Sequence, residues 1–201
     1  LTPQTVMLFV PKSPPACYAV ELGVIGILMV SRRKIKEAHE NSVLASFGEH
    51  LKSKGESLNV KTQPDPPDAF VEISGSDTWI EITDAFYSQD VAISITSYAA
   101  DDVTHRPSQG GLVGDPDEVT ISKVESVILE KLTKPTMISI AKSNGKGILL
   151  VGLFGPFFDL DEVADNLPQT LKTDLASQQV FESVYLYESC SVNVHRYKKV
   201  L

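Results

Sequence analysis

Ile35, Val43, Leu44, Phe47 and Leu51 recur at three- and four-residue spacing, the period of one helix face. The spacing predicts a helix over residues 31–54, with Ser31 as its N-cap and Gly55 just past its end. Glu40 falls on the same face as Val43, Leu44 and Phe47, and Glu37 is its nearest substitute. Three shorter stretches, 69–74, 78–83 and 91–98, are strand candidates, and "SGSD" between the first two suits a hairpin. Along the second, Ile80 and Ile82 face one way, and Trp79, Glu81 and Thr83 the other. Ile121, Val124, Val127, Ile128 and Leu132 form the stripe of a second helix over 118–134, stopped by Pro135. "GILLVGLF" at 147–154 is an unbroken apolar run, the pattern of a strand covered on both faces. Short helices over 161–167 and 170–176 and strands over 181–188 and 192–197 complete the chain. The order predicts an α/β (α+β) domain, a sheet with helices on its faces.

Residues 1–30 alternate proline-rich and apolar pieces, and they read as an arm or an added β element ahead of a domain spanning 31–201. The apolar run over 16–30 contains Glu21 and is short for a membrane span. A buried strand or packed helix is expected there, and no membrane partner. Residues 99–117 are polar and glycine-bearing without a clear period, the mark of a long loop that is functional or mobile.

Composition narrows the class. The chain has 201 residues, 42% hydrophobic and 22% charged, as expected of a soluble globular protein. Its net charge of −8 counts against a non-specific nucleic-acid coat protein, yet leaves room for an enzyme with a local basic cleft. Cys17 and Cys190 stand alone with no metal spacing, which points to a reducing, cytoplasmic setting.

The candidate chemistry lies in "PPDAFVEISGSDTWIEIT", residues 66–83. It places Asp68 at the mouth of one apolar stretch and Glu81 in the middle of the next. Two carboxylates brought together are stable mainly when a cation or a shared proton sits between them. A hard divalent ion, Mg²⁺ or Mn²⁺, suits that pair and serves phosphodiester hydrolysis.

Pro67-Asp68, a short hairpin and then "WIEIT" resemble the PD-(D/E)xK nuclease superfamily, over roughly residues 31–154. The resemblance implies a restriction-endonuclease-like fold, a mixed central sheet flanked by helices. It also implies a metal-dependent phosphodiesterase acting on nucleic acid, most naturally DNA. Asp68 and Glu81 would bind the metal, with the Ile82 carbonyl as a further ligand and Glu40 assisting. Proteins of this fold often pair, so the analogy extends to a homodimer.

One departure is plain. Thr83 stands where the family has its E-x-K lysine, and threonine offers a hydroxyl but no cation. Some relatives supply that lysine from the following helix, and "ILEKLTK" offers Lys131 and Lys134. The plainer role for both is to complement a helix C-terminus. The missing lysine and the acidic balance keep open an alternative: a nuclease-fold protein that no longer cleaves and serves as a binding or regulatory module.

Other candidates carry less. Asp101, Asp102, His105 and Arg106 crowd the long loop and would suit a substrate or a second ion, or simply a polar surface. Glu72 shares a strand face with Asp68 and Phe70. "HRYKK" sets Arg196, Lys198 and Lys199 beside an aromatic, either as a nucleic-acid contact or as a basic, frayed terminus.

Overall fold

The computed structural model describes residues 31–86, 88–108, 116–154, 159–191 and 193–201. The expected arm over 1–30 lies outside them. Helix α1 (Arg32–Ser53) starts at Ser31, whose hydroxyl accepts from the Lys34 N–H. It is followed by β1 (Leu58–Thr62), β2 (Ala69–Ile73) and β3 (Ser76–Phe86), then α2 (Gln89–Ala99), α3 (Pro116–Thr133) and α4 (Pro135–Asn144). After β4 (Gly147–Phe154) come α5 (Leu160–Asp165), α6 (Gln169–Ser177), β5 (Phe181–Ser191) and β6 (Val194–Lys199).

The six strands form one mixed sheet in sequence order. β1, β2 and β3 pair antiparallel, β3, β4 and β5 parallel, and β5 and β6 antiparallel. β4 thus has parallel neighbours on both edges, and helices cover both of its faces. That is why it reads as continuous apolar sequence.

The sheet separates two apolar layers. On one face α1 sets Val43, Leu44, Phe47 and Leu51 against Ile80, Ile82, Leu150 and Tyr185. On the other, α3 and the later helices bury Val124, Ile128, Leu160 and Leu171 against Trp79, Leu149 and Val151. The alternation expected along β3 holds: Ile80 and Ile82 belong to the first layer, Trp79 to the second.

One expectation is corrected, and two elements, β1 and α4, were not anticipated. Residues 91–98 form helix α2, not a strand. Ser88 caps it, accepting from the Val91 N–H. β1 escaped the hydrophobic pattern because it is a solvent-facing edge strand, exposed at four of its five positions. Pro135 does end α3, but it also opens α4 from the first-turn position, where the missing N–H costs nothing.

Candidate active site

β3 outruns its antiparallel neighbour. β2 pairs with it only as far as Ala69 opposite Ile80, so the Ile82 N–H has no strand partner on that side. Asp68, just ahead of β2, supplies one: its Oδ2 accepts from Ile82 N at 2.7 Å. Asp68 is 4% exposed. A buried N–H needs an acceptor, and a carboxylate is a strong one. The local fold therefore fixes Asp68 at the point where β3 continues alone.

Glu81 sits next to that point, on the β3 face covered by α3. Lys131, in the last turn of α3, extends its ammonium to 2.6 Å from Glu81 Oε1. Glu81 Oε2 is buried with no hydrogen-bond partner. Burial and the Asp68 charge push the Glu81 carboxyl above its ordinary pKa, against the pull of Lys131 and Lys134. Lys134 acts on Glu81 as a charge at longer range, from the N-cap position of α4. Thr83 follows two residues on, half-buried on the same face of the strand.

The opposite flank comes from α1. Glu40 is the inward-facing acid and is buried, whereas Glu37 is exposed and paired with Arg33. Burial and the Asp68 charge raise the Glu40 pKa to about 7, and a hydrogen bond with Asp68 adds to the rise while Lys36 opposes it. Lys36, one turn earlier, places its ammonium 2.8 Å from Asp65, 3.2 Å from Glu40 and 3.7 Å from Asp68. Sequence reasoning missed Lys36, because its partners lie in the turn before β2 and only the fold brings them over α1.

A second polar group was also missed. His39 Nε2 lies 3.2 Å from Asp84 Oδ2, and the Tyr187 hydroxyl donates to Asp84 Oδ1 at 2.8 Å. Burial pulls the His39 pKa down, but the Asp84 carboxylate, helped by the charges of Glu40 and Asp68, outweighs it and the net direction is up. The signal was available, since the alternation that sends Ile80 and Ile82 toward α1 sends Asp84 there too. Asp84 and Phe86 lie opposite Gly152 and Phe154 of parallel β4. This end of the pair lies at the carboxyl ends of the parallel strands β3 and β4.

The remaining candidates lie elsewhere. Glu72 is held by Lys61. Asp102 binds Arg32, and His105 contacts the Ser97 hydroxyl. Arg196 is engaged by Glu188 and Asp161, and Lys198 by Asp161 and Asp165, so two of the terminal basic charges are already matched by acids. A cavity of about 650 Å³ between α1 and β1 is lined by Leu44, Gly48 and Val60, and none of the acids above lines it.

Among the described residues no group of three or more His, Cys, Asp or Glu side chains is arranged to hold a metal ion. A cation here would rely on Asp68 and Glu81, a backbone oxygen such as that of Ile82, and water. That donor set fits Mg²⁺ or Mn²⁺, which commonly take one or two carboxylates and keep several waters. The buried, unpartnered Glu81 Oε2 is the specific observation in favour of a fit. Among the described residues the ion pairs to Glu40, Asp65, Asp68 and Glu81 come from Lys36 and Lys131, while Lys134 acts on Glu81 and His39 on Glu40 and Asp68 through the field. No family model, no curated protein and no solved structure matches this chain.

Proposed function

We propose that the chain is a divergent PD-(D/E)xK-type phosphodiesterase, dependent on Mg²⁺ or Mn²⁺ and acting on nucleic acid, with DNA as the first substrate to test. The observation that carries the reading is the 2.6 Å contact of Lys131 with Glu81. It puts an ammonium beside the E-x-K acid although Thr83 occupies the lysine position. Asp68 and Glu81 contribute carboxylate oxygens, and Ile82 a backbone carbonyl. A bound divalent ion activates water and offsets charge at phosphorus. Lys131 keeps Glu81 oriented and holds a positive charge where an anionic phosphoryl group approaches. Thr83 offers a hydroxyl on the same face. Glu40 lies beside Asp68 and assists it. The homodimer is part of this reading only through the analogy.

The test is calorimetry with Mn²⁺ together with cleavage of plasmid and single-stranded DNA. Wild type is expected to bind and cleave, Glu81→Ala to lose binding, and Asp68→Ala to lose cleavage. Wild type that neither binds Mn²⁺ nor cleaves would overturn the reading. One observation favours the second reading, a nuclease-fold binding module: each acid already has its own lysine, Lys36 for Asp68 and Lys131 for Glu81. DNA binding without metal or cleavage is its signature.

A further inference from the structure

Lys36 reaches three carboxylates from two parts of the chain, and its contacts are graded. It is closest to Asp65 at 2.8 Å, then Glu40 at 3.2 Å, and farthest from Asp68 at 3.7 Å. Its side chain is 50% exposed, while that of Asp68 is 5% exposed. The ammonium thus sits at the solvent mouth of a buried acid, on a long stem that swings at little cost. Its firmest partner, Asp65, is an exposed residue of the turn before β2, outside the Asp68–Glu81 pair.

We propose that Lys36 is a built-in counter-ion that competes with the divalent cation for Asp68, with Asp65 as the tether that holds the ammonium when the cation takes its place. The inference rests on the divalent-ion reading above and adds a residue that sets the affinity of that site. Without metal, Lys36 lowers the cost of burying Asp68 beside Glu40 and Glu81, since like charges that close oppose ionisation. With metal, the contact given up is the weakest of the three. The tether keeps the ammonium beside Asp65 and close to Glu40. Lys131 differs: it is 13% exposed and, among the described residues, its one ion pair is with Glu81.

Calorimetric titration of the full chain with Mn²⁺ tests this. Lys36→Met is expected to bind Mn²⁺ roughly tenfold more tightly than wild type, the scale of removing one positive charge close to a divalent ion near a surface. Lys52→Met, which removes an exposed lysine of the same helix paired with Glu49, is expected to change affinity less than about twofold. Asp65→Asn is expected to weaken binding, and that loss should vanish in the Lys36→Met background, because without the ammonium there is nothing to tether. Circular dichroism checks that each variant is folded, and Lys36→Gln replaces Lys36→Met if the latter is not. Equal shifts in Lys36→Met and Lys52→Met, or an unchanged affinity in Lys36→Met, with wild type binding normally, overturn the competition alone. Failure of wild type and every variant to bind Mn²⁺ overturns the competition and the divalent-ion reading together.

Discussion

Lys131 Nζ lies 2.6 Å from Glu81 Oε1 and ties α3 to the central strand across 50 positions of sequence. Both groups are shielded, at 13% and 5% side-chain exposure. Breaking such a pair from one side leaves a buried charge uncompensated. Lys131→Met is therefore expected to lose about 3 kcal/mol at neutral pH, read from urea unfolding. Lowering the pH should restore part of the loss, because Glu81 then takes a proton. Lys131→Met combined with Glu81→Gln should be more stable than Lys131→Met alone. If DNA cleavage is found in wild type, Lys131→Met should lower it at least about 100-fold, the scale of losing one preorganised electrostatic contact.

Asp68 has two separable roles. Its Oδ2 satisfies the Ile82 N–H, and its charge raises the pKa of Glu40 and Glu81. Asp68→Ala removes both and leaves a buried N–H without an acceptor, an expected loss of about 1–3 kcal/mol. Asp68→Asn keeps an acceptor oxygen and removes the charge. It should retain most of the stability in a denaturant titration while losing Mn²⁺ binding by calorimetry. Equal destabilisation by both substitutions would show that charge, not the bond to Ile82, is what the fold requires.

The acid on α1 sets a pH slope. The Glu40 pKa is raised from 4.5 to about 7, so between those values the folded state binds more protons than the unfolded state. Stability then falls as pH rises through that window. His39 has the same sign. Its folded pKa is raised above 6.5, so the stabilisation by Asp84 is complete below 6.5 and is lost as pH climbs through the folded value. Glu40→Gln should flatten the slope between pH 4.5 and 7. The gain at pH 8 should be on the order of 1 kcal/mol after allowing for solvent screening. Urea midpoints measured from pH 5 to 8 check both signs.

Much of the candidate site could be read because the acids lie in strongly patterned segments. The alternation around Ile80 and Ile82 fixed the face of Glu81, and the stripe of α3 put Lys131 at its border. Ser31 and the apolar spacing located α1 to within a residue at each end. Where the reading failed, local pattern was weak or ambiguous. "VAISITSY" is rich in β-branched residues and alternates, so it resembles a strand. As α2 it is only half-buried, with Ser97 its one buried residue. β1 has almost no buried face to advertise. Lys36 was invisible for a different reason. Its meaning lies in partners around the turn before β2, Asp65 and Asp68, that only tertiary structure brings to it.

Gly152 shows how tightly the second polar group is packed. A Cβ at that position would lie 2.6 Å from Asp84 Oδ1, the Tyr187 hydroxyl and Phe154 Cε2 alike. None of the three can easily withdraw. Asp84 accepts from Tyr187 and contacts His39, and Phe154 stacks on Phe86 at 5.3 Å and meets His39 edge-on at 5.7 Å. Overpacking a site of this kind costs about 1–3 kcal/mol, and Gly152→Ala is expected to fall in that range by urea unfolding. The shift should also be visible at His39. If the methyl group forces Asp84 aside, the imidazole loses the carboxylate that raises its pKa most, and burial is then opposed only by the charges of Glu40 and Asp68. An NMR titration of the His39 ring in Gly152→Ala should therefore show its pKa moving below the wild-type value. In the Asp84→Ala background, the same Gly152→Ala substitution should cost markedly less, because one of the three crowded atoms is gone and that space can take the added carbon. An unchanged His39 titration, together with a full and additive stability loss in the double variant, would place the strain on the Phe154 and Tyr187 rings instead of on Asp84.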